Sequence, residues 1–122
     1  MAEQRIRLLL VDDQKLFVES LKYVVEARAP DIEVVGLAED GEEAVRMVQD
    51  LAPDVVMMDV RMPGMDGVEA TRRIHAAAPQ VSIVMLTTFA DDEYVHFAMK
   101  YGAAGYLLKN IPPSELIGAV RA

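Results

Sequence analysis

The sequence predicts an α/β domain, a doubly wound parallel sheet with helices on both faces. Three observations predict it. Five short apolar runs punctuate the chain, and five stretches with helical apolar spacing alternate with them. The segments between are short, with no linker, low-complexity tract or internal repeat. Strands that alternate with helices pair in parallel, and right-handed crossovers then cover both faces. A chain of 122 residues, 52% hydrophobic, suits one such domain over residues 1–122.

The first run, Ile6–Val11, is nearly continuous, as are the third, Val55–Met58, and the fourth, Val81–Leu86. Runs this short and this apolar suit strands buried on both sides. Ile32–Ala38 and Gly105–Leu108 are the second and fifth. Helical spacing appears in Gln14–Arg28 (Leu16, Phe17, Leu21, Val24, Val25) and in Glu42–Leu51 (Ala44, Val45, Val48, Leu51). It recurs in Gly67–Ala77 (Val68, Thr71, Ile74, His75), Asp92–Tyr101 (Val95, Ala98, Met99) and Pro113–Arg121 (Leu116, Ile117, Val120). Asp13, Asp40, Asp66 and Asp91 stand where N-caps of the first four helices belong, and Pro113 fits a first helical position. Pro53, Pro79 and Gly102 end the second, third and fourth helices. The last helix is cut short at Ala122 with no polar tail, which fits either one piece of a longer protein, the favoured reading, or a short terminal helix.

Composition removes several functions. A formal net charge of −8 makes the domain a poor binder of DNA or anionic membrane by itself, and suits a site that draws a cation. With no Cys there is no disulfide framework and no thiolate zinc or redox centre. No apolar stretch approaches the ~20 residues of a membrane span. "MAEQRIR" lacks the apolar core of a signal peptide, so the expected compartment is the cytoplasm, with no membrane partner. The absence of GxGxxG and Walker loops argues against a nucleotide. His75 and His96 have no partner at metal-ligand spacing, and the eight Met read as packing.

In an open α/β sheet, ligands bind beyond the carboxyl ends of the strands. Asp12 and Asp13 follow the first run, Asp59 ends the third, Thr87 and Thr88 end the fourth, and Lys109 follows the fifth. Each has a plainer reading alone: a helix cap for Asp12 or Asp13, a turn cap for Asp59, a strand former for Thr87, a solvated charge for Lys109. Together they fall at one end of strands that should lie side by side. Carboxylates so grouped repel one another unless a cation joins them, and an all-oxygen set suits Mg²⁺. Lys109 adds a charge for a phosphate oxygen and Thr87 a hydroxyl donor. The set reads as a phosphoryl-transfer site with an Asp nucleophile.

"LLLVDDQ", "VVMMDVRMPGMDG", "VMLTT" and "GYLLKN" resemble the receiver domain of two-component response regulators, over roughly residues 6–122. "LTTFADDEY" and "GAAGYLLK" resemble the branch that carries a C-terminal LuxR-type helix-turn-helix. The resemblance implies a flavodoxin-like fold with strand order 2-1-3-4-5. It implies that Asp59 accepts a phosphoryl group from a sensor histidine kinase. It implies that Asp13 and Asp59 bind Mg²⁺ directly, with Asp12 acting through water and the Arg61 carbonyl completing the protein ligands. Lys109 would pair with the phosphoryl group, Thr87 would move to meet it, and Tyr106 would change rotamer. Arg61, Thr88 and Phe89 would tune dephosphorylation. The resemblance puts DNA contact in an output domain outside this chain, and leaves open a homodimer through the first and fifth helices. Beyond promoting its own phosphorylation and dephosphorylation, such a domain is not an enzyme. One departure stands out: many members have a cis-Pro after the Lys, and here Asn110 follows Lys109.

Two other readings fit parts of the pattern. One is a receiver fold that acts alone or signals without phosphate. The other is a Mg²⁺-dependent phosphatase of the haloacid dehalogenase type, which usually carries a second Asp where this chain has Arg61.

Overall fold

The computed structural model describes residues 5–88 and 92–122. The elements, in order, are β1 (Ile6–Val11), α1 (Lys15–Arg28), β2 (Ile32–Ala38), α2 (Gly41–Leu51), β3 (Val55–Asp59), α3 (Gly67–Ala77), β4 (Ser82–Thr87), α4 (Asp92–Lys100), β5 (Gly105–Leu108) and α5 (Pro113–Arg121). The strands form a single five-stranded sheet in the order β2-β1-β3-β4-β5, parallel throughout.

The continuous apolar runs are explained by two cores, one on each face. Side chains alternate across a strand, so Leu8, Leu10, Val55, Met57, Val84 and Leu86 pack one way, against Val18, Leu21 and Val25 of α1 and Leu116, Ile117 and Val120 of α5. Leu9, Val11, Val56, Met58, Ile83 and Met85 pack the other way, against α2, α3 and α4 through Ala44, Val48, Ala70, Ile74, Val95 and Ala98. The central strands therefore have no polar side to show.

The expected aspartate caps form at α2 and α3 but not at α1. Asp40 accepts the Glu43 amide at 2.8 Å and Asp66 the Glu69 amide at 2.9 Å, as expected of N-caps. Asp13 does not cap α1. Gln14 holds that position without a side-chain bond, and its amide is taken by Asp12 Oδ1 at 2.9 Å. Asp91 lies outside the described residues. The buried face of α1 also differs from expectation: Val18 is buried, whereas Leu16 is 80% exposed. Leu16, Phe17 and Val18 are consecutive and apolar, so they sweep more than half a turn, and only packing decides which face the core. His75 lies at the surface, its ring against the backbone of Gly102.

Two positions near the carboxyl edge require glycine. Gly64 turns the β3–α3 loop with φ 73°, a left-handed value that costs other residues energy. At Gly67 the backbone of α3 comes so close to the end of β3 that a Cβ would strike the Asp59 carbonyl oxygen. Its amide bonds to the Val60 carbonyl at 2.8 Å, which fixes α3 behind the residue that ends β3.

Candidate functional site

Parallel register brings the polar residues together. Val11 pairs with Met58, so Asp12 and Asp59 stand abreast one step further on. Asp59 pairs with Leu86, and Thr87 with Leu108, which puts Lys109 just beyond. Backbone bonds extend the ladder past the strands. The Asp12 amide donates to Ala38 O at 3.0 Å, and the Lys109 amide donates to Thr87 O at 3.0 Å. Both residues are therefore anchored by the sheet itself.

The Asp12, Asp13 and Asp59 carboxylates offer oxygens that all lie within 4.8 Å of one another. Asp12 is fully buried, Asp59 is 7% exposed and Asp13 faces solvent. The Lys109 ammonium sits 2.9 Å from Asp12 Oδ2 and 3.2 Å from Asp59 Oδ2. It also meets Gln14 Oε1 at 3.3 Å and lies 5.2 Å from the centre of the Phe17 ring. The contact to Asp12 is an ion pair; among the described residues the buried Oδ2 has no aligned hydrogen-bond donor.

Burial pushes the Asp59 carboxyl up to about 6, and the Asp12 charge adds to this; Lys109 and the Arg61 amide pull the other way. Burial acts to depress Lys109, but the two carboxylates outweigh it and hold its ammonium above the usual lysine range. Lys109 pairs with Asp12 and Asp59 and offsets only part of the charge of the three carboxylates, which leaves this group of described residues electronegative. An underbonded buried oxygen beside two further carboxylates, with no His or Cys near, is a donor set that suits a hard divalent cation.

The other predicted residues surround this group. Thr87 is buried, and its hydroxyl donates to the Thr88 carbonyl at 2.8 Å. Thr88 is exposed at the rim. A cleft of about 220 Å³ opens between Thr87, Thr88, Leu108, Lys109 and Asn110. Tyr106 pairs with Met85 on the α3–α4 face, two residues before Leu108, and is 54% exposed. Arg61 is exposed, and its guanidinium lies 5.0 Å over the Tyr94 ring of α4. Phe89 lies outside the described residues. No peptide bond among the described residues is cis, so Lys109 reaches both carboxylates from a trans Lys109–Asn110 bond.

The profile of the response regulator receiver domain matches residues 8–121. The chain belongs to this family. Over 117 residues the receiver domain is 45% identical to the transcriptional regulatory protein LiaR of Bacillus subtilis, covering 96% of this chain and 55% of LiaR. It is 43% identical over 119 residues to the transcriptional regulatory protein DegU of Brevibacillus brevis, covering 98% of this chain and 50% of DegU. The chain spans about half the length of the curated relatives it matches. Among solved structures, a two-component response regulator of the LuxR family from Aurantimonas sp. SI85-9A1 superposes with TM-score 0.89 at 35% identity, covering 97% of this chain and 84% of that one. The response regulator domain of Thermotoga maritima CheB superposes with TM-score 0.88 at 32% identity, covering 97% and 95%.

Phosphorylation-controlled signalling is the general function of receiver domains, and relatives of this one are transcription regulators. Among the described residues no helix is long and apolar enough to cross a membrane. The structure brings Asp12, Asp13, Asp59 and Lys109 into one group. Two members of its surroundings, Gln14 and Phe17, are not marked as site residues by their types. The available signal is position: Gln14 directly follows the Asp pair, and Phe17 stands three residues on, within the same first turn.

Proposed function

We propose that Asp59 accepts a phosphoryl group from the phosphohistidine of a sensor kinase, and that the receiver domain then alters an output. The observation that carries this is the placement of Asp59: a buried carboxylate at the end of the central strand β3, beside two other carboxylates and 3.2 Å from the Lys109 ammonium. In the step, an Asp59 carboxylate oxygen attacks phosphorus while the P–N bond to the imidazole breaks. The electron pair stays on the imidazole nitrogen, and the product is an acyl phosphate.

Asp12, Asp13, Asp59 and the Arg61 carbonyl would hold Mg²⁺. When bound, the ion supplies positive charge that offsets the crowding of anions on phosphorus. The chain's own residues do the rest. Lys109, its backbone fixed by the β4–β5 ladder, meets a phosphoryl oxygen with its point charge. The Thr87 hydroxyl leaves the Thr88 carbonyl and turns to the phosphoryl group. The cleft beside Thr87 lies on the face that Tyr106 shares, and the ring turns into it from its exposed position. This local change biases the surface made by α4, β5 and α5. Arg61, Thr88 and Phe89 set how fast water removes the group.

The kinase is the partner of this step, and DNA is contacted by a C-terminal output domain in a longer protein of the cytoplasm. The domain promotes only its own phosphorylation and dephosphorylation. Intact-mass measurement after incubation with Mg²⁺ and a small acyl phosphate donor tests the assignment. One base-labile phosphoryl group is expected, and none in Asp59→Asn; an equal gain in the variant overturns it.

A further inference from the structure

Lys109 stands on a long, flexible stem, and a point charge is useful only where it is held. Its backbone is fixed by the bond to Thr87 O, but that leaves the side-chain torsions free. The next residue, Asn110, is exposed and follows a trans bond. Orientation therefore depends on what the ammonium touches. Two of its neighbours, Asp12 and Asp59, are carboxylates that a cation and a phosphoryl group would engage. The other two, Gln14 Oε1 and the Phe17 ring, are neutral.

We propose that the first turn of α1 positions the Lys109 ammonium through the Gln14 side-chain carbonyl and the face of the Phe17 ring. This rests on the reading of Lys109 as the cation that meets the phosphoryl group. Both contacts start from anchored residues on the short stems of one helix turn. The Gln14 amide is held by Asp12 Oδ1 at 2.9 Å, and its carbonyl accepts the Val18 amide at 3.2 Å. Phe17 packs against the core shared by α1 and α5. A carbonyl dipole and a ring quadrupole attract an ammonium without cancelling its charge. They hold Lys109 in place yet leave it free to serve an incoming anion, which a third carboxylate could not do. The arrangement makes Gln14 and Phe17 positioning residues, delivered by the helix that starts directly after the acidic pair.

The test uses the whole 122-residue chain and two readouts. The first is affinity for beryllofluoride with Mg²⁺, by calorimetry. The second is phosphorylation by a small acyl phosphate, resolved into maximal rate and half-saturating donor concentration. Gln14→Met and Phe17→Leu keep size and apolar bulk but remove the dipole and the ring. Each is expected to weaken beryllofluoride binding and lower the maximal rate by roughly 3- to 10-fold, in the range of one such polar or cation–π contact. Half-saturation should stay within about 2-fold, because the contact acts on the reacting group. Phe17→Tyr retains the ring face and should behave as the unaltered protein. The proposal is overturned if Gln14→Met and Phe17→Leu both bind and react normally, or if Phe17→Tyr fails as badly as Phe17→Leu. Lys109→Met separates the premise: if it binds beryllofluoride normally, the reading of Lys109 fails and the proposal falls with it. Urea unfolding checks each fold, and should Phe17→Leu prove unstable, the solvent-facing Gln14→Met decides alone.

Discussion

Replacing Asp59 with Asn in the metal-free domain should raise its stability near neutral pH. Asp59 is 7% exposed and its carboxyl is pushed from 3.8 up to about 6, first by burial and then by Asp12. The folded state therefore keeps this proton to a higher pH than the unfolded state does. Stability from this group is fully present below 3.8 and is lost as pH rises through about 6. A shift of roughly two units corresponds to about 3 kcal/mol at ~1.4 kcal/mol per unit. Asn is uncharged at every pH, so it escapes this cost, and Lys109 retains Asp12 at 2.9 Å as its counter-ion. Urea unfolding followed by far-ultraviolet circular dichroism, in chelator, should place Asp59→Asn about 2–3 kcal/mol above the unaltered protein at pH 7.5. The gap should shrink towards zero near pH 4. Equal stabilities at pH 7.5, or a gap unchanged by acid, would refute the reasoning that an ionised Asp59 is held against its solvation preference.

Three further outcomes follow from particular contacts. Millimolar Mg²⁺ should raise the midpoint of thermal unfolding, and Asp13→Ala should remove most of the rise while leaving the metal-free midpoint nearly unchanged, since Asp13 faces solvent. Ala52→Gly should stabilise the domain by about 0.5–1 kcal/mol in the same urea assay; Ala52 ends α2 in the left-handed region with φ 48° and ψ 59°. Gly67→Ala should cost about 2 kcal/mol or more and slow phosphorylation, because the new methyl would force α3 away from the Asp59 carbonyl.

Much of the fold is legible because its strands are buried on both faces. Ile6–Val11 and Ile32–Ala38 are seen in the sequence with their observed limits. The errors are local. β3 runs one residue further, to Asp59, because the ladder to Leu86 continues past the last apolar side chain. β4 begins at Ser82 rather than Val81, since Val81 still bonds to Ala78 in the preceding turn. Asp13 looks like a cap by position, but Asp12 takes the Gln14 amide and leaves the Asp13 carboxylate to the acidic group. The main members of that group are visible as the residues that follow each strand. Gln14 and Phe17 are not, because a contact between residues 95 apart in sequence, such as Gln14 to Lys109, depends on how α1 leans on the sheet.

The sheet also acts as a partition. Met57 and Met58 are neighbours in sequence, yet each is enclosed by a different set of helices: Met57 faces α1 and α5, while Met58 and Met85 face α2, α3 and α4. The domain thus carries native probes on either side of one wall. Labelled methionine methyl groups would tell which half responds when Asp59 is modified. If the signal leaves through α4, Met58 and Met85 should shift while Met57, a residue away along the chain, stays still.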